Sequence, residues 1–126
     1  MKKYMLNHKT LIASFKYAFE GIFFTLKYNQ NLRIHFTVAI LVIIASIYFK
    51  VNAFEMGILG VVILLVICAE MINTAIEEIA NLVTKEHHEE AKIAKDVAAG
   101  MVLLTSIGSV IVGILIFTPY VLNLFH

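Results

Sequence analysis

Three polar side chains recur at helical spacing inside an otherwise apolar stretch: Glu70, Asn73 and Glu77 stand at i, i+3 and i+7, and Asn81 extends the stripe by one turn. Residues at these spacings share one face of a helix. Glu70 follows an uncharged run from Met56 to Ala69, so it lies well inside the stretch. A carboxylate at that depth costs roughly 2.5–3.5 kcal/mol on insertion scales and asks for a functional reason. Directly after the stripe come Lys85-Glu86-His87-His88-Glu89-Glu90, then Lys92, Lys95 and Asp96. Carboxylate oxygens hold Mg²⁺ and ammonium groups neutralise phosphate oxygens, so this combination suits phosphate chemistry with a divalent metal. Taken singly, the loop charges read as solvated, and His87-His88 alone is a weak zinc pair, since zinc wants further ligands at defined spacing. No P-loop and no GxGxxG string occurs, so a nucleotide has to be held by side chains and helix ends.

The elements that must position these groups follow from composition. Of 126 residues, 60% are apolar and 15% charged, against roughly 45–50% and 25% in a soluble domain. A soluble monomer is excluded. The formal charge of +1 leaves no basic field for nucleic acid and no acidic tail. Charges separate three apolar stretches: Ile34 to Phe49, Met56 to Leu82 with its three glutamates, and Val97 to Phe125. A bilayer core of about 30 Å needs roughly 20 helical residues. Strands fit less well, because these segments lack alternation and an open sheet edge in lipid leaves backbone groups unsatisfied. The expected fold is therefore an all-α membrane protein, a single domain over 1–126, with three transmembrane helices at about 32–50, 55–82 and 96–122.

Six basic residues, including Lys2, Lys3 and Lys9, precede the first span, and Lys85, Lys92 and Lys95 lie between the second and third. The positive-inside rule then places the N-terminus and the 83–96 loop in the cytoplasm. Over about 8–29, Lys9, Lys16, Glu20 and Lys27 share one side of a helical wheel, and Leu11, Phe15, Phe19, Ile22 and Leu26 another. This predicts an amphipathic helix on the membrane surface. A third sector with Ser14, Tyr17, Gly21 and Thr25 suits the wall of a cleft, the alternative being a plain anchor. In the third span Thr105, Ser109 and Gly113 repeat every four residues, a pattern that lets helices approach closely. Pro119 suits a kink or a stop near the membrane exit. The lone Cys68 rules out an intrachain disulfide framework and is expected to be a small buried hydrophobe. The basic start lacks the short apolar region and cleavage site of a signal peptide, so the N-terminus is expected to stay on the mature protein.

The string Glu70-Met-Ile-Asn73-Thr74-Ala75-Ile76-Glu77, followed by His88-x-x-Ala91-Lys92-x-Ala94-Lys95-Asp96-x-Ala98-Ala99-Gly100, closely resembles the small integral-membrane lipid kinases. These are the prokaryotic diacylglycerol kinase family with its undecaprenol kinase branch. The resemblance covers nearly the whole chain, including Asn31-x-Arg33-Ile34-His35 at the start of the first span and Phe117-Thr-Pro119 near the end. The paired histidines, the RIH and AKDxAAG strings and the late Phe-x-Pro look more like enzymes that phosphorylate undecaprenol than like those acting on diacylglycerol. The family fold implies a homotrimer with active sites shared between neighbouring subunits, ATP as phosphoryl donor and Mg²⁺ as cofactor.

Carried over residue by residue, Glu70 matches the catalytic base, and Asn73 and Ala99 match substrate-binding positions. Glu77 matches the carboxylate that holds the metal bridging the ATP phosphates. Glu86, His87 and His88 match the nucleotide-binding stretch of the loop, Lys95-Asp96 the pair at phosphate and nucleotide, and Tyr17 a nucleotide-contacting aromatic. Asn29 stands where the family usually has a second acidic metal ligand that also faces the nucleotide, and Asn81 where it has Asp. An amide carbonyl can ligate Mg²⁺ without bringing charge, so weaker metal affinity is expected. The resemblance thus implies ATP- and Mg²⁺-dependent phosphorylation of a lipid hydroxyl in the bacterial cytoplasmic membrane, of undecaprenol or alternatively diacylglycerol. A rival of another class, a non-enzymatic ion- or proton-relay subunit, accounts for Glu70 and Glu77 but not for the loop beside them. An inactive member that keeps the fold is the second rival.

Overall fold

In the computed structural model, which describes residues 8–126, four helices follow one another: α1 (His8–Tyr28), α2 (Gln30–Tyr48), α3 (Ala53–Val83) and α4 (Glu89–Asn123). No strand occurs among the described residues. α2, α3 and α4 are long and apolar enough to cross a membrane, and in lipid only helices and closed barrels satisfy every backbone group. Lys2 and Lys3, counted above toward orientation, lie outside the described residues. α4 starts at Glu89, ahead of the apolar stretch, because two glutamates in its first turn complement the positive end of the helix dipole. It runs through Pro119 to Asn123 without stopping there.

Each junction has its own chemistry. Asn29 separates α1 from α2 and caps α2, its side-chain oxygen accepting from the Leu32 N–H at 3.2 Å. Arg33 reaches back from α2 to donate to the Lys27 carbonyl at 2.7 Å, satisfying the last turn of α1. Between α2 and α3 the chain reverses through Lys50, whose φ of 54° is left-handed. The Val51 N–H bonds the Ser46 carbonyl at 3.1 Å and the Lys50 N–H the Ile47 carbonyl at 3.2 Å, the Schellman pattern with lysine where glycine is usual. Asn52 then caps α3 by accepting from the Glu55 N–H at 2.8 Å. After α3, the Thr84 hydroxyl accepts from the Glu86 N–H at 3.0 Å and closes the turn that leads to α4.

α3 is the hub: it packs along α4 most extensively and also against α2 and α1. Its buried residues, Leu59, Val66, Ala69, Glu70, Asn73 and Ala80, trace one stripe, apolar in its first half and polar in its second. At the end away from the 84–88 turn, Val51, Leu59 and Ile116 form a small core with Phe49, Phe117 and Tyr120 around it. There the Tyr120 hydroxyl donates to Glu55 Oε1 at 2.8 Å and ties α4 to the start of α3.

One expectation is corrected. Cys68 is exposed on α3 rather than buried, since it falls off the stripe formed by Ala69, Glu70 and Asn73. On α4, a Cβ added at Gly113 would meet nothing within 4 Å among the described residues. The Thr105 and Ser109 hydroxyls donate to carbonyls of their own helix, at 3.1 Å to Met101 and 2.7 Å to Ser106.

Candidate active site

Glu70 is 2% exposed, midway along a helix that crosses the membrane. A buried carboxylate needs donors, because the desolvation cost is otherwise several kcal/mol. The Asn29 amide supplies one, donating to Oε2 at 3.2 Å. The same amide nitrogen donates to the Thr74 hydroxyl oxygen at 2.7 Å, and that hydroxyl donates to the Glu70 carbonyl at 3.0 Å. Asn29 therefore uses its amide nitrogen on α3 and its oxygen on the α2 cap. His35, from the second turn of α2, brings Nε2 to 3.5 Å from the other carboxylate oxygen, Oε1.

One turn further along α3, the Asn73 amide nitrogen faces Glu77 Oε1 at 3.5 Å. Asn73 is 9% exposed, and its Oδ1 has no hydrogen-bond partner among the described residues. Buried polar atoms in native proteins are rarely left so, and an orphaned acceptor calls for a water, an ion or a ligand group to meet it. Glu77 beside it is exposed. No group of three His, Cys, Asp or Glu side chains converges among the described residues. Mg²⁺ does not require one, since it keeps several waters and binds through one or two carboxylates plus substrate phosphates. A carboxylate next to an unpartnered carbonyl oxygen fits that pattern.

The remaining polar groups gather at the α3–α4 turn around an open cavity of about 530 Å³. Glu86, His87, His88, Lys95 and Asp96 line it together with Asn81. Lys95 Nζ donates to Asn81 Oδ1 at 2.8 Å, and Lys92 pairs with Asp96 at 2.7 Å. His88 Nε2 stands 3.9 Å from Glu86, with both side chains exposed. So Asn81 is a neutral partner for Lys95. Ala80 lines the cavity one turn beyond Glu77 and joins it to the polar stripe. Tyr17 on α1 and Ala99 on α4 are exposed. The predicted residues thus fall into an interior group, Asn29, Glu70, Asn73 and Glu77, and a rim group around the cavity.

His35 is the member that sequence reasoning passed over. It served only as part of a string at the start of the first span, and a lone imidazole there carries no spacing signal. Its contact with Glu70 depends on how α2 lies against α3. It also lines a second cavity, of about 500 Å³, whose walls are the apolar faces of α2, α3 and α4.

Residues 16–117 match the profile of the prokaryotic diacylglycerol kinases. The chain belongs to the prokaryotic diacylglycerol kinase family. That membership makes it a membrane protein and a lipid kinase, and it removes the relay reading. Over 115 residues it is 40% identical to a diacylglycerol kinase of Synechocystis sp., covering 90% of this chain and 66% of that one. Over 106 residues it is 38% identical to an undecaprenol kinase of Bacillus subtilis, covering 84% and 86%. The chain therefore spans about two thirds of the length of the first relative and most of the second.

Proposed function

We propose that this lipid kinase transfers the γ-phosphoryl group of ATP to the hydroxyl of undecaprenol at the cytoplasmic face of a bacterial membrane. The observation that carries the reading is a buried carboxylate in contact with His35, which lines an apolar groove, and a basic and imidazole-lined cavity beyond it along the same helix. ATP enters the rim cavity from water, where Lys95 faces its phosphates and Glu86, His87, His88 and Asp96 its polar edges. Tyr17 and Asn29 approach the nucleotide from the α1 side. The lipid arrives laterally, with Asn73 and Ala99 on its path.

Glu70 takes the proton of the lipid hydroxyl as the oxygen attacks the γ-phosphorus, and ADP leaves with the former bridging oxygen. Its burial keeps water from competing for the phosphoryl group. Mg²⁺, when bound, neutralises charge on the phosphate oxygens. Glu77 would hold it, with Asn73 Oδ1 alongside and the second lone pair of Asn29 Oδ1 as a neutral contribution. α1 lies on the membrane surface as an amphipathic helix, and the N-terminus and the turn between α3 and α4 face the cytoplasm. Three copies assemble so that each site borrows walls from its neighbour, which the openness of both cavities in a single chain supports.

Undecaprenol is preferred over diacylglycerol because of the RIH and AKDxAAG strings and the paired histidines. The length match to the relative named as an undecaprenol kinase points the same way. The relative named as a diacylglycerol kinase keeps the second substrate in view. Purified protein in detergent micelles, given γ-labelled ATP and each lipid in turn, decides between them. A several-fold higher kcat/KM for undecaprenol is expected, and equal or reversed preference would make the chain a diacylglycerol kinase.

A further inference from the structure

The Glu70 carboxylate is held from two sides by one element. Asn29, the cap of α2, donates to Oε2, and His35, in the second turn of the same helix, faces Oε1 at 3.5 Å. That is a few tenths of an ångström beyond a usual N–H···O bond. Such contacts are often long in substrate-free proteins and tighten when substrate seats. A neutral imidazole with its proton on Nε2 is a sufficient donor.

His35 also belongs to the wall of the apolar groove, and Glu70 does not. The other side chains in that wall with a donor group, Ser109 and Thr118, donate to carbonyls of α4. The imidazole is therefore the polar end of a mostly apolar groove, and it stands between that groove and the carboxylate. A lipid lying in the groove with its hydroxyl at this end meets His35 and Glu70 together.

We propose that His35 is a positioning residue for Glu70: from the end of the groove it orients Oε1 toward the incoming hydroxyl while Asn29 holds Oε2. The inference rests on the kinase reading above. Misplacing a reacting group by about 1 Å costs on the order of 100-fold in rate, so loss of one of two holds should show in turnover rather than in nucleotide binding.

The test compares His35→Leu and His35→Gln with wild type by steady-state phosphoryl transfer to undecaprenol and diacylglycerol, with thermal unfolding in the same detergent. His35→Leu is expected to lower kcat about tenfold or more with the KM for ATP within about twofold. His35→Gln, whose amide N–H can replace the donor, is expected to recover most of that loss. The unfolding shift caused by His35→Leu should shrink in a Glu70→Gln background, as contact between the two requires. Wild-type kcat in His35→Leu, or a glutamine no better than leucine, would overturn the positioning role and leave the kinase reading standing. A wild-type chain inactive toward both lipids would remove the kinase reading and this role with it.

Discussion

Asn29 and Glu70, 41 positions apart in the chain, meet through an amide-to-carboxylate hydrogen bond of 3.2 Å. The same asparagine caps α2 and bonds Thr74, so one short side chain joins the α1–α2 junction to the middle of α3. Replacing it with alanine removes the cap, worth about 1 kcal/mol, and strips a donor from a buried carboxylate, worth roughly 1–3 kcal/mol. Asn29→Ala should therefore lower the unfolding midpoint in detergent and lower kcat by a larger factor than it raises the KM for ATP. Thermal unfolding alongside steady-state kinetics checks both.

At the other end of the molecule, Lys50 occupies a left-handed position that disfavours any side chain with a Cβ by about 1 kcal/mol. Lys50→Gly should stabilise the protein by up to roughly that amount, offset in part by a more flexible unfolded chain. Glu55 lies in the first turn of α3, some fifteen residues and so roughly 22 Å of helix from Glu70. Kinetics should be unchanged, and a chemical unfolding curve with an unaltered slope and a higher midpoint is the expected observation.

Tyr120 donates to Glu55 at that same end, and Asn52 donates to the same carboxylate oxygen. Tyr120→Phe keeps the ring among Phe49 and Phe117 and deletes only the hydroxyl. The unfolding temperature should drop by a few degrees while kcat and KM stay at wild-type values. A parallel loss of turnover would show that the α3–α4 tie reaches the site.

Much of this arrangement is legible in the sequence, and the reason is periodicity. Glu70, Asn73 and Glu77 announce a shared helix face by spacing alone, and uncharged runs mark the spans that carry it. The contacts between elements were not legible in the same way. That Asn29 turns its amide on Glu70, or that His35 closes the end of a groove, depends on the path of the chain through the α1–α2 junction, which no local pattern encodes. Lys50 hid the reversal after α2 because glycine is the usual sign of one. The resemblance named Asn29 for its oxygen, as a weakened metal ligand; that its amide nitrogen bonds Glu70 and Thr74 is visible only in the structure.

Lys95 separates binding from stability. Its bond to Asn81 is solvent-accessible, and exposed polar pairs contribute little to folding. A lysine on a phosphate oxygen is worth more, on the order of a tenfold change in affinity. Lys95→Met should leave the unfolding midpoint near wild type and raise the KM for ATP about tenfold. Isothermal titration with a non-hydrolysable ATP analogue in the presence of Mg²⁺ reads the same effect without turnover.

Glu70→Gln tests the central claim most directly. Glutamine is nearly isosteric with the glutamate and its carbonyl can still accept from Asn29, but it takes up no proton at neutral pH. With γ-labelled ATP, Mg²⁺ and undecaprenol in micelles, wild type should phosphorylate the lipid, and Glu70→Gln should fall by about 100-fold or more, the usual contribution of a positioned base. Transfer by Glu70→Gln within a few-fold of wild type would contradict its role as the proton acceptor.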